Sequence, residues 1–325
     1  MNKTRLKGGS LSGTYLCTGD GAPFVRKEVS LVHNREYGFQ RWYSQLKRMQ
    51  RYWVLFPGHF PRLLTYGREG EMAYFDMEYI AEAVTVQEFL LATTDEAMID
   101  TMFGALFELV GKMYQTRIAS TVAPIELYIY EEIEQKMLAC RDNKRFVEIA
   151  SHPTLFFNGR EVQGLAHVVP AFKELARRCY HSTNETFSHG NLTLENILYQ
   201  PATNTITLID PYEENVIDSA LADYSQVLQS CNSRYEIYNA STPQIHGNRI
   251  DLELPSYPGL DYFRDKFWAY LRAGHSADDL TVIRLLEVSQ FARMLPFKLE
   301  IDEDKMVFFY ALGSYLFDQL RGDAR

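Results

Sequence analysis

The chain has 325 residues, 46% of them hydrophobic and 14% aromatic, ample apolar material for one two-lobed domain or two compact ones. A formal net charge of −9 excludes an extended nucleic-acid or anionic-membrane surface as the main function, and no apolar run approaches the roughly 18 residues of a membrane span. Residues 1–9 lack the apolar segment of a signal peptide, and Cys17, Cys140, Cys179 and Cys231 form no CxxC pair, which favours reduced thiols and a cytoplasmic setting over a disulfide framework or zinc site.

In chain order, Thr4 to Lys7 and Thr14 to Thr18 read as strands around the loop Gly8-Gly9-Ser10-Leu11-Ser12-Gly13, and Phe24 to Val29 as a third. Residues 34–53 have helical spacing, with Phe39, Trp42, Tyr43 and Leu46 as the expected buried stripe. Strands follow at Leu63–Tyr66 and Met72–Met77. Thr85 with Glu88, and Thr93 with Glu96, have capping-box spacing ahead of two helices. In the second, Ile99, Met102, Phe103, Leu106, Leu109, Val110 and Met113 mark one buried face. Asn158-Gly159 predicts a hairpin turn, and a helix is expected over 170–180. Ile197–Tyr199 and Thr205–Ile209 read as short strands, and the last hundred residues as mainly helical. This order predicts an α+β fold, with a β-rich lobe over 1–80, a mainly helical lobe over 81–325, and a ligand cleft between them.

The strongest chemical signal is His189-Gly190-Asn191-Leu192-Thr193-Leu194-Glu195-Asn196, followed by Leu208-Ile209-Asp210-Pro211. Kinases carry H-x-D-x-x-x-x-N in the catalytic loop and a metal-binding Asp one short hairpin later. Phosphoryl transfer needs magnesium held by hard oxygens, which an Asn196 amide and an Asp210 carboxylate supply. It also needs a carboxylate to orient the acceptor hydroxyl and take its proton.

On these residues the chain resembles the aminoglycoside phosphotransferase and choline kinase family, small-molecule kinases with a protein-kinase-like fold. The resemblance covers nearly the whole chain in element order. It implies ATP and Mg2+ as cofactors, with Asn196 and Asp210 as metal ligands and His189 and Asn191 in the catalytic loop. It implies that Lys27 reaches the α- and β-phosphates and that Glu36 pairs with Lys27. Val25 would line the adenine pocket, and the backbone of Glu78 and Ile80 would hydrogen-bond adenine. Gly9, Ser10 and Gly13 would let backbone amides approach phosphates. Asp218 or Asp223 would brace the catalytic loop, with helix capping as an equal account of Asp218. The implied acceptor is a hydroxyl of a sugar or amino alcohol, and the oligomeric state is open. An exposed basic pair at Arg26-Lys27 and a solvated basic face at Arg35, Arg41, Lys47, Arg48 and Arg51 are the bland alternatives.

One position departs from the pattern. Asn191 stands where the family has aspartate. It is nearly isosteric and can accept a hydrogen bond, but it cannot take a proton at neutral pH, so chemistry should be slowed or absent while nucleotide binding persists. Three accounts are open: a substitution made to trap a complex, which the intact Lys27, Asn196 and Asp210 favour; a natural pseudokinase with a regulatory or scaffolding role; or an active enzyme that uses another base.

Overall fold

The computed structural model describes residues 2–6, 13–32, 35–115, 117–118, 125–180, 185–212 and 215–323. By contact the chain divides into two compact units, 1–113 with 189–215 and 114–188 with 216–325.

The first unit is built on five antiparallel strands: β1 (Asn2–Arg5), β2 (Gly13–Thr18), β3 (Phe24–Ser30), β4 (Leu63–Glu69) and β5 (Met72–Glu78). Their order is β1-β2-β3-β5-β4, which places β3 centrally. Helix α1 (Arg35–Leu55) lies between β3 and β4 in sequence. It packs Trp42, Leu46 and Met49 against Val25, Val29, Ala73, Phe75 and Met77, the three-four spacing of a buried helical stripe.

That stripe is rotated from the expected one. Phe39 and Tyr43 are exposed, whereas Gln45, Arg48 and Tyr52 are buried. The aromatic spacing pointed to one side of the helix, and polar contacts made on the other side set its rotation.

After β5 the chain forms the two-residue strand β6 (Val84–Thr85) and helix α2 (Val86–Ala92). The capping box is present, with the Thr85 side chain accepting from Glu88 N–H and the Glu88 carboxylate from Thr85 N–H. Helix α3 (Glu96–Gln115) buries all seven expected residues and also Phe107. Its start differs from expectation. Asp95 Oδ1 accepts from the N–H groups of Ala97 and Met98 at 3.0 and 3.2 Å, while Thr93 Oγ1 accepts from Asp95 N–H at 3.1 Å. An aspartate cap outcompetes the Thr93–Glu96 box because its carboxylate meets two amides at once.

The hairpin of Ile197–Gln200 with Thr205–Leu208 pairs antiparallel and extends onto β6 through Leu198 and Tyr199. Leu208 N–H donates to the His59 carbonyl at 2.8 Å, and Gln200 Nε2 to the Ala81 carbonyl at 2.9 Å. These bonds fix the strand ends of the hairpin onto the rest of the first unit.

The second unit is mainly helical, with Phe263, Phe267, Phe291, Phe308, Phe309 and Phe317 fully buried. It also holds a four-stranded sheet that includes the Thr154–Phe157 and Arg160–Gln163 hairpin. The turn residues Asn158 and Gly159 have φ of +49° and +76°, as a two-residue hairpin of this hand requires. The helix expected from Pro170 spans Leu165–Cys179. Pro170 is therefore internal rather than initiating, and near the helix start Ala166 N–H donates to the Tyr310 hydroxyl at 2.8 Å. Among the described residues no helix is long and apolar enough to cross a membrane.

Candidate active site

The site is assembled within the first unit. On β3, Val25 lies in the core cluster, and two residues on Lys27 forms an ion pair with Asp210 Oδ1. Arg26, on the opposite face, is also buried. Its Nε and Nη2 donate to the two oxygens of Asp76 at 2.7 and 2.8 Å, Nη1 reaches Glu69 at 3.0 Å, and the guanidinium lies 4.0 Å from the Tyr74 ring centroid. The exposed basic pair is therefore not what forms. A central strand has two covered faces, and each cation finds its own carboxylate.

The catalytic-loop segment and the Asp210 segment are knitted together. Asn196 Nδ2 donates to the Asn191 carbonyl at 2.8 Å, Asn191 Nδ2 donates to the Asp210 carbonyl at 3.3 Å, and Ile209 N–H donates to the Asn196 carbonyl at 2.9 Å. Tyr212 N–H donates to the His189 carbonyl at 2.9 Å. Because the Asn196 and Asn191 amide nitrogens face carbonyls, their Oδ1 atoms must point the other way, and among the described residues neither oxygen has a hydrogen-bond partner.

His189 is completely buried, stacked near Phe60 at 6.2 Å between ring centroids, and its Nδ1 accepts from Asn191 N–H at 3.3 Å. Burial first, and the charge of Arg48 second, push its pKa down to about 3. It is a neutral organiser of the loop. For Asp210, burial pushes the carboxyl up, but the charge and hydrogen bond of Lys27, with Arg41 and Gln45, outweigh it and leave the group below its ordinary range. The carboxylate is thus ionised at neutral pH, as a metal ligand must be.

Gly190 has φ +77°, and a Cβ there would come within 2.1 Å of the Tyr212 carbonyl oxygen and 2.4 Å of Asn215 Nδ2. That explains the glycine locally: neither the backbone conformation nor the space admits a side chain.

The other expected positions divide as follows. Ile80 sits in the loop after β5, and its N–H and C=O have no hydrogen-bond partner among the described residues. Glu78 ends β5, with its N–H donating to the Arg62 carbonyl at 2.9 Å. Gly13 opens β2, where a Cβ would meet the Tyr15 ring at 2.5 Å. Gly9 and Ser10 lie outside the described residues, as does the Glu36 side chain. In the second unit, Asp218 accepts from the Ser188 hydroxyl and from Thr186 N–H through its backbone carbonyl. The N-cap of the following helix is Ser219, so Asp218 ties down the segment leading to His189 rather than capping a helix. Asp223 is buried and accepts from the Tyr114 hydroxyl at 2.9 Å.

Two residues of this site escaped the sequence reading. Gln45 donates to Asp210 Oδ1, and Arg48, assigned there to a solvated face, is buried and donates to the Tyr212 carbonyl. The available signal was positional, since both share the face of α1 that carries Trp42, Leu46 and Met49. Polar residues at core-facing positions mark buried partners.

The central sheet, the hairpin carrying Asp210 and the helical remainder define a protein-kinase-like α+β fold, with a sheet-rich N-terminal region and a mostly helical C-terminal part. A solved structure described as a putative fructosamine-3-kinase from Haemophilus somnus 129PT matches 97% of this chain and 91% of its own, with a TM-score of 0.59 and 10% identity. An aminoglycoside-3'-phosphotransferase of type VIII matches over 88% and 92%, with a TM-score of 0.47 and 14% identity. At such identities the first is a likeness of fold, and the second is too distant to carry an argument. No protein-family model and no curated protein matches the chain.

Among the described residues no cluster of three or more His, Cys, Asp or Glu could hold a metal by itself. Magnesium is typically held by protein through one or two carboxylates, with substrate phosphates and water completing the shell. The Asp210 carboxylate is partly exposed and the Asn196 amide oxygen has no hydrogen-bond partner among the described residues, so these two oxygen donors are chemically suited to such an ion.

Proposed function

We propose that this chain is an ATP- and magnesium-dependent phosphotransferase whose acceptor is a hydroxyl of a small metabolite, a sugar or an amino alcohol. The observation that carries the reading is the junction of Lys27, Asp210, Asn196 and Asn191 within one unit. One cation, one ionised carboxylate and one outward amide oxygen supply what a nucleotide triphosphate with its metal requires.

In this reading Lys27 leaves Asp210 to engage the phosphates. Asp210 and Asn196 would hold Mg2+, which neutralises charge on the phosphate oxygens when bound. Ile80 N–H and C=O offer a donor and an acceptor of the kind an adenine edge takes. His189 holds the loop, and Asn191 Oδ1 accepts the acceptor's hydroxyl proton as a hydrogen bond without removing it, so turnover is weak. The fold neighbour's name adds fructosamine-type sugar amines to the acceptors worth testing.

A second reading, a nucleotide-binding pseudokinase, is favoured by one contact. Asn191 Nδ2 donates to the Asp210 carbonyl, which an ionised aspartate cannot do. Calorimetric titration with ATP, with and without Mg2+, tests the nucleotide claim common to both readings. Magnesium-dependent binding in the micromolar range is expected, and absence of binding under both conditions overturns both.

A further inference from the structure

Helix α1 grips three successive residues of the Asp210 segment. Gln45 Nε2 donates to Asp210 Oδ1 and, at 3.3 Å, lies on the Pro211 carbonyl. One turn on, Arg48 Nη1 donates to the Tyr212 carbonyl and lies 3.4 Å from the His189 carbonyl. These positions are three apart and therefore on one helix face.

Asp210 has φ +58°, a left-handed backbone that few residues with a Cβ adopt, aspartate being one of those that do. Two donors, Lys27 Nζ and Gln45 Nε2, converge on the same oxygen, Oδ1. Oδ2 has no hydrogen-bond partner among the described residues. A carboxylate gripped at one oxygen by two fixed donors has its terminal torsion set, and with it the direction of the other oxygen.

We propose that Gln45 is a positioning residue for the metal-binding carboxylate: together with Lys27 it holds Oδ1 of Asp210 and so presents Oδ2 to a divalent cation. This rests on the nucleotide- and metal-binding reading above and deepens it. The residue type follows from the task. A neutral amide adds a donor without cancelling the negative charge the cation needs. A glutamate at 45 would set a second carboxylate against Asp210 and compete for Lys27, and a lysine or arginine would neutralise the ligand. When Lys27 turns to phosphate, Gln45 remains as the donor on Oδ1, so the orientation survives nucleotide binding. Arg48 does the corresponding work on the backbone.

The test is Mn2+ binding to the full chain in the presence of saturating ADP, followed by electron paramagnetic resonance. ADP affinity in EDTA is measured alongside. Gln45→Leu removes the side-chain amide at similar volume, and Gln45→Met keeps the length of the side chain. Loss of a residue that orients a metal ligand typically costs about 10- to 100-fold in metal affinity. We expect at least a tenfold loss for Mn2+ in both variants, with metal-free ADP affinity within twofold of the parent. Unchanged Mn2+ affinity in variants that still bind ADP overturns the role of Gln45 and leaves the nucleotide reading standing. A parent chain that binds neither ADP nor Mn2+ overturns both. Unfolding of both variants assigns Gln45 to stability alone and overturns the proposal.

Discussion

Lys27 Nζ and Asp210 Oδ1 form an ion pair between residues 183 positions apart in sequence. It joins the central strand of the sheet to the end of the Thr205–Leu208 strand. The resemblance implied Glu36 on α1 as a partner for Lys27, and the Glu36 side chain lies outside the described residues. The pairing means that Lys27 and Asp210 neutralise each other in this structure; under the proposed function, nucleotide and metal would separate them.

Lys27→Met should therefore weaken nucleotide binding while leaving the fold intact. A hydrogen bond to a charged group contributes about 1.5–3 kcal/mol, so ADP affinity should fall about 10- to 150-fold by calorimetry. The Asp210 carboxyl should also move up, because burial would then act with its chief opponent gone. ADP affinity equal to that of the parent would remove Lys27 from the phosphate site.

The Arg26–Asp76 pair gives a prediction on stability alone. Both side chains are nearly buried, and the pair is bidentate. Removing Asp76 leaves the buried guanidinium with only the exposed Glu69; breaking a buried pair typically costs about 3–5 kcal/mol, whereas apolar replacement of both is often neutral. Asp76→Leu alone should lower unfolding free energy by that amount in urea titrations, and Arg26→Met with Asp76→Leu should recover most of it. A double variant as unstable as the single would show that Arg26 acts through Tyr74 and Glu69 instead.

The contrast between Lys27 and Gln45 shows how far sequence carried this site. Spacing singled out His189, Asn191, Asn196 and Asp210 as one group because their order along one loop and hairpin is local, and hydrogen bonds join these segments. Strand alternation separated Val25 and Lys27 from Arg26. What could not be read was long-range pairing. Nothing in β3 says that Lys27 meets Asp210 or that Arg26 meets Asp76, since each depends on register between distant elements. On α1 the same limit rotated the buried stripe. Phe39 and Tyr43 satisfy apolar spacing as well as Leu46 and Met49 do, and only the carbonyls of Pro211 and Tyr212 decide that Gln45 and Arg48 face inward. The capping box at Thr85 was legible because both partners lie within four residues. At Thr93 the spacing was equally good, yet Asp95 supplied the cap.

Asn191→Asp separates the two functional readings. In the enzyme reading the new carboxylate supplies a proton acceptor, a contribution of about 100- to 10,000-fold in general acid–base catalysis. Transfer from ATP to sugars or amino alcohols should rise by at least 100-fold, read as ADP release. The same change removes the donor to the Asp210 carbonyl, so a modest drop in melting temperature should accompany the gain. Absent turnover with intact ATP binding favours the pseudokinase reading.

His189 makes stability depend on pH in a defined direction. Its pKa is held down to about 3, by burial and then by Arg48, against about 6.5 in an unfolded chain. Between those values the unfolded state binds a proton that the folded state refuses. Stability from this source is therefore complete above about pH 6.5 and is lost as pH falls towards 3. At about 1.4 kcal/mol per pH unit, the loss between pH 7.5 and pH 5 should be about 2 kcal/mol. His189→Gln carries no titrating group at this position, so its unfolding free energy should fall less over the same interval, whatever its absolute stability. Urea unfolding of both proteins at the two pH values gives the comparison, and equal losses would show that His189 is protonated in the folded protein and that Arg48 does not oppose its charge.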